Sequence, residues 1–167
     1  YQGLPKSDKM DFIIQKSVEL GIYKVVPVLT ERTVVKIDNE KDALKKCERW
    51  NRISLEAAKQ CNRGIIPKIE VPISFKDAIK QAKEKSLSFI PYEKESKNSL
   101  KQIFKSASNI DEIAVFIGPE GGFAEQEIDE AIGLGISPVT LGPRILRTET
   151  AGIAVLSILM YELGDVG

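Results

Sequence analysis

The chain has 167 residues, 43% of them apolar, with 24 Lys or Arg balanced by 24 Asp or Glu; this suffices for one domain with a real core and is too little for two large ones. It contains no histidine, which excludes Ser-His-Asp, Cys-His and histidine-zinc chemistry and leaves carboxylates, Lys, Arg, Tyr, backbone groups or a cofactor to carry any reaction. Zero net charge argues against an unspecific basic coat for nucleic acid, and no apolar run approaches the ~20 residues of a membrane span.

Apolar runs alternate with helical patterns along the chain. KSDKMDFIIQKSVEL predicts a helix capped by Ser7 or Asp8 and stopped by Gly21. Residues 23–29 predict a strand in which Pro27 marks an edge or a strand end. Residues 42–62 predict a long helix with Leu44, Cys47, Trp50, Ser54, Ala58 and Cys61 on one face, ended by Gly64 and Pro67. Ser74 with Asp77 has the spacing of a capping box for a helix through Lys83. A strand over 86–91, a short helix over 98–105, a buried strand over 113–117, a helix over 125–134 and a strand over 136–141 follow. Thr148 or Thr150 is the expected cap of a last helix that runs to about Leu163. Such alternation implies an α/β fold with a mostly parallel sheet covered on both faces. Ligands in such sheets gather beyond the carboxyl ends of the strands, where two loops stand out: GPEGG after Ile117 and LGPRILRTETA after Thr140.

Cys47 and Cys61 are too few and too separated for a zinc cluster or a disulfide framework. Both are expected as reduced core residues of a cytoplasmic protein without metal or membrane contact. No signal-peptide pattern opens the chain, and a start at Tyr1 instead of Met suggests a piece of a longer protein. Charge is unevenly distributed. Residues 41–68 hold eight Lys or Arg against three acids, and residues 111–130 hold seven acids and no base. One reading is a polyanion on one side and a cationic or neutral ligand on the other; the alternative is two solvated helix faces.

The stretch FIGPEGGFAEQEIDEA raises the question of what its glycine loop would hold. Phosphate loops aim backbone N–H groups and a helix N-terminus at an anion, usually with a lysine. Here Glu120 lies inside the loop, Glu125 and Glu127 occupy the next helical turn, and the loop has no lysine of its own. Neither G-x-G-x-x-G nor G-x-x-x-x-G-K-[ST] is present, so dinucleotides and nucleoside triphosphates fit poorly. S-adenosylmethionine fits better, because it carries no phosphate and has a sulfonium that tolerates carboxylates. A side chain at Gly121 is expected to fill the approach of backbone to such a ligand, although a tight turn would also explain the glycines.

GPEGGF followed by LGPRILRTETA resembles the RsmE family, bacterial methyltransferases of the SPOUT superfamily that modify N3 of a uridine in small-subunit (16S) ribosomal RNA. The similarity extends through LPKSDKMDFIIQKSVELG, PVLTERTVV and ERWNRISLEAAKQCNR. The resemblance implies a SPOUT α/β domain over residues 1–167, with a C-terminal deep trefoil knot, S-adenosylmethionine in the knot and a homodimer. It also implies that the family's N-terminal PUA-like RNA-binding domain is missing from this chain. Ala124 departs from the family's usual Ser and weakens a capping box with Glu127.

Carried over position by position, the resemblance places Gly118, Pro119, Glu120, Gly121 and Gly122 on the ribose and methionine side of the cofactor. It places Leu141, Gly142, Ile145, Leu146, Arg147 and Ala151 around the adenine. For the apolar residues ordinary core packing is a compatible role. A uridine N3 proton must leave, and the resulting anion needs a cation, for which Arg147 is the first choice; the alternative is an ion pair of Arg147 with Glu149 or Glu120. Glu56, Gln60 and Arg63 have the spacing of one helix face. Glu56 is a candidate base, Gln60, Arg63 and Arg32 are candidate RNA contacts, and Arg32 is also a candidate catalytic group. The bland alternative is a solvated stripe. The apolar last helix, together with the first, is the expected homodimer interface. Two alternatives stand beside this function: an inactive RNA-binding or ribosome-assembly module of the same fold, and a related SPOUT enzyme acting on another RNA.

Overall fold

The computed structural model describes residues 1–106 and 109–166. Among these residues eight short strands alternate with six helices. In order they are β1 (Gln2–Gly3), α1 (Lys9–Glu19), β2 (Lys24–Val25), β3 (Pro27–Leu29), α2 (Glu40–Gln60), β4 (Lys68–Ile69), β5 (Ile73–Ser74), α3 (Phe75–Ala82), β6 (Leu87–Pro91), α4 (Leu100–Ser106), β7 (Ile113–Val115), α5 (Glu125–Gly133), β8 (Ser137–Val139) and α6 (Thr148–Leu163).

Every strand pair is parallel. β3 lies between β1 and β5, β2 pairs with β4, and β6 lies between β7 and β8. A parallel bridge from Gln2 to Ile117 joins the two halves, with Gly3 N–H donating to the Ile117 carbonyl at 2.7 Å. Successive strand residues point to opposite faces, and both faces are covered. Val28, Ile90 and Phe116 pack on one side with Phe75 and Ile79 of α3 and Ile128 of α5. On the other side Val25 and Ile69 meet Ile14 and Val18 of α1 and Trp50 and Ala58 of α2. Phe89 and Val139 meet Ile103 of α4 and Val155 and Leu159 of α6.

Local chemistry sets several boundaries. Asn39 caps α2 by accepting from the Asp42 N–H at 2.9 Å, and Ser74 caps α3 by accepting from the Asp77 N–H at 3.1 Å. Gly21 ends α1 at φ +94°, a conformation open to glycine.

The structure corrects some of the expected elements. Residues 23–29 form two strands; Pro27 does mark a strand end, as the first residue of β3, but β3 is an interior strand rather than an edge. Neither Ser7 nor Asp8 caps α1 through its side chain. The buried face of α2 is Ala43, Trp50, Ser54, Ala57 and Ala58, whereas Leu44 is exposed. That helix stops at Gln60 because Asn62 turns the chain at φ +58°, before Gly64 is reached. Thr148 is the first residue of α6 rather than its cap, and its hydroxyl serves a loop instead. Among the described residues no helix is long and apolar enough to cross a membrane, and no cluster of potential metal ligands occurs.

Candidate functional site

The segments that leave β7 and β8 at their carboxyl ends face each other across a cavity of about 760 Å³. The glycine loop, residues 118–122, forms one wall and residues 141–147 the other. All eleven residues assigned to the cofactor from the sequence line this one cavity: Gly118, Pro119, Glu120, Gly121 and Gly122, then Leu141, Gly142, Ile145, Leu146, Arg147 and Ala151. Sequence reasoning missed a third contribution, from the segment after β6, where Tyr92, Glu93 and Glu95 line the cavity. Their position beyond the carboxyl end of a strand was the available signal.

The glycine loop is packed from behind. A Cβ on Gly3 would stand 2.5 Å from the Pro119 ring, and a Cβ on Gly118 would stand 3.1 Å from the Gly122 backbone. The loop closes as a turn with Gly122 N–H donating to the Pro119 carbonyl at 2.9 Å, and Gly122 takes φ +66°. Below it runs a buried chain of hydrogen bonds. The Gln2 amide donates to the Thr148 hydroxyl at 2.9 Å, and that hydroxyl donates to the Gly118 carbonyl at 2.5 Å. Gln2 and Thr148 are both buried, so these bonds satisfy groups that water does not reach. They also tie the start of α6 to the glycine loop.

At Gly121 the direction differs from the expectation. A Cβ there would meet the Arg32 side chain at 3.1 Å, so a substitution displaces Arg32 and does not enter the backbone approach directly.

The charge of the loop is also not what its own residues suggest. Lys9, from α1, places its ammonium 3.0 Å from Glu120 and 3.4 Å from Glu149. Glu120 accepts in addition from the Lys6 N–H at 3.1 Å. Burial would raise the Glu120 carboxyl, but Lys9 and the backbone N–H groups of Glu120 and Lys6 bring it below its ordinary value. The glycine loop therefore has an ammonium partner, supplied from 111 residues upstream in sequence, and an unpaired-acid argument for a cationic ligand does not hold at Glu120. Glu125 is likewise paired with Lys94. Glu127 is buried and spends both oxygens on backbone, accepting from Glu31 N–H at 2.8 Å and Ala124 N–H at 2.9 Å. It thus supplies half of a capping box despite Ala124, and pins residues 30–33 against α5.

Among the described residues Arg144 and Arg147 line the cavity without an ion pair or side-chain hydrogen bond, and both are exposed. Glu120 and Glu149, the partners considered for Arg147, are held by Lys9 instead. Arg32 donates to the Gly121 carbonyl at 2.9 Å, so it reaches the glycine loop within the same chain. The structure does not bring Glu56, Gln60 or Arg63 to the cavity. Glu56 is exposed and paired with Lys59 at 3.0 Å. Arg63 lies beyond the end of α2, off the expected face, and donates to the Val18 and Ile22 carbonyls at 3.0 and 2.9 Å, where it satisfies the open carboxyl end of α1.

Comparison with known proteins adds the family. Residues 1–160 match the RNA methyltransferase domain family. The chain belongs to this family. Among the relatives of this RNA methyltransferase domain, the ribosomal RNA small subunit methyltransferase E of Bacillus subtilis is 38% identical over 164 residues, covering 96% of this chain and 64% of the relative. The protein of the same name from Mesomycoplasma hyopneumoniae is 40% identical, covering 91% of this chain and 64% of the relative. A Neisseria gonorrhoeae enzyme of that name, solved bound to S-adenosyl methionine, superposes with a TM-score of 0.88 at 35% identity, covering 99% of this chain and 66% of the other. A Legionella pneumophila methyltransferase solved with the bound cofactor SAM gives 0.86 at 39% identity, covering 95% and 63%. The chain thus spans slightly less than two thirds of the length of these relatives.

Proposed function

We propose that this chain is the catalytic domain of an S-adenosylmethionine-dependent methyltransferase that modifies N3 of a uridine in small-subunit ribosomal RNA. The observation that carries the proposal is the convergence of residues 118–122 and 141–147 on one cavity. The pocket suits a nucleoside with an amino-acid tail. The wall of Leu141, Leu146 and Ala151 offers apolar surface for a flat base, and Ile145, 87% exposed, has no protein neighbour to cover it. Glycine backbone on the opposite wall allows close approach, and the cavity volume is within the range of small-ligand sites. These residues would hold S-adenosylmethionine, which supplies an electrophilic methyl group when bound.

The protein's own part is to orient, to exclude water and to manage charge on the acceptor. Arg147 and Arg32 bring guanidinium groups to the cavity rim, where they would stabilise the anion left when the uridine loses its N3 proton. Glu56, Gln60 and Arg63 would join this chemistry only from a second subunit or through RNA, since none of them lines this cavity. Of the basic residues on α2, Lys41, Lys45, Lys46 and Arg52 have no ion pair among the described residues, and they are the ones left to meet RNA phosphates.

Three further features belong to the same reading. The family's deep trefoil knot is proposed for the segments of residues 118–122 and 141–147. A homodimer through α1 and α6 is supported by their exposed apolar residues Phe12, Ile158, Tyr161 and Leu163. The protein would act in the cytoplasm, where ribosomal RNA is processed. The test is methylation of deproteinised and subunit-bound small-subunit RNA, with the modified nucleoside mapped by mass spectrometry. A single N3-methyluridine supports the proposal; transfer to a ribose hydroxyl, or to no RNA at all, contradicts it.

A further inference from the structure

We infer that Glu93, in the segment after β6, is the acid with which this site holds the ribose hydroxyls of its nucleoside ligand, an inference that rests on the S-adenosylmethionine reading above. The other carboxylates that line the cavity are already engaged. Glu120 is engaged by Lys9 and the Lys6 N–H. Glu95 accepts from the Lys97 N–H at 2.6 Å and the Asn98 N–H at 3.1 Å, and these bonds hold its carboxyl below the ordinary value. Lys94, the neighbour of Glu93, is committed to Glu125. Glu93 alone of the lining acids has no hydrogen bond and no ion pair among the described residues. Its two oxygens stand 3.7 Å from where a Cβ on Gly122 would be, against the backbone of the glycine loop.

Position and chemistry select the ribose. Glu93 lies just past the carboxyl end of β6, the strand next to β7, which carries the glycine loop. An acid near a glycine-rich loop at the carboxyl end of a parallel sheet is the usual partner of ribose hydroxyls in nucleotide-binding α/β folds. A carboxylate offers two acceptors to the two donors of a vicinal diol, and such charge-assisted bonds are short and strong. A sulfonium has no O–H or N–H to donate to a carboxylate, so an attraction to it would be a bare charge pair, and with Glu93 exposed such a pair contributes little.

Calorimetric titration of wild type and Glu93→Gln with three probes tests this: S-adenosylmethionine, S-adenosylhomocysteine and the 2′,3′-dideoxy form of the latter. The variant is expected to lose the first two by the same factor, roughly ten- to a hundredfold. Wild type and variant are expected to bind the dideoxy probe equally, with an unchanged melting temperature. Unaltered affinity in the variant overturns the inference, as does a loss for the dideoxy probe equal to that for its parent. Loss confined to S-adenosylmethionine would assign Glu93 to the sulfonium and also overturn it. If wild type binds none of the probes, the cofactor reading itself fails.

Discussion

The two walls of the cavity are built differently. Residues 118–122 are braced from every side: by the bond from Thr148 to Gly118, by Arg32 on Gly121, by Lys9 on Glu120 and by the close approach of Gly3 to Pro119. Residues 141–147 hold Gly142 at φ +99° with open space around it, one bond to the Thr140 hydroxyl at 3.1 Å, and Ile145 almost fully exposed. One wall is closely packed and the other sparsely held, so S-adenosylmethionine is expected to meet a fixed backbone on one side and to complete its enclosure with the other. Substitutions in the first wall should therefore cost stability as well as binding, and those in the second binding or chemistry alone.

The largest effect is expected at Gly118. Gly118→Val crowds the Gly122 backbone and the Phe123 ring, each within 3.2 Å of the added Cβ. It should abolish calorimetrically detectable cofactor binding and lower stability by about 1–3 kcal/mol in urea unfolding. Retained binding at normal stability would show that this wall is not rigid. Next comes Arg147→Ala, which should lower methyl transfer about a hundredfold or more at saturating cofactor, with the melting temperature unchanged because no ion pair is lost. Equal loss of activity and stability would make Arg147 a structural residue. Ile145→Ser should weaken the cofactor about tenfold, as expected when part of one isoleucine no longer becomes buried on binding, again without a stability change.

The smallest effect is expected at Lys9→Met and reads the fixed wall through pH. Because the folded Glu120 carboxyl lies below its ordinary 4.5, its contribution is complete above that value and is lost as pH falls through the folded one. The Lys9 ammonium, raised above 10.5 chiefly by its bond to Glu120, loses its contribution only as pH rises through its own folded value. The difference in melting temperature between wild type and Lys9→Met should therefore be largest near neutrality and close below pH 4.5. A difference that persists in acid would mean that the Lys9 stem, and not its charge, supports the loop.

Much of this organisation was legible in the sequence because it rests on local signals. Ser74 and Asp77 announce α3, alternating apolar runs announce a parallel sheet, and the glycine loop and the arginine-bearing loop announce the two walls of one cavity. What stayed hidden is long-range. The two-residue strands β1, β4 and β5 have no period of their own and exist only through their partners. Lys9 lies far in sequence from the carboxylates it neutralises, so the charge read from the glycine loop alone differed from the charge of the folded site. Helical spacing groups Arg63 with Glu56 and Gln60, but that spacing ends where Asn62 turns the chain. Glu93 carried no motif, and only the accounting of neighbours in three dimensions singles it out.

The most direct measurement is a crystal structure of the protein grown with S-adenosylmethionine. The account predicts the base against Leu141 and Leu146, the tail along residues 118–122, residues 141–147 moved onto the ligand and residues 118–122 unmoved. A ligand lodged outside this cavity, or a glycine loop that rearranges to admit it, would contradict the central claim.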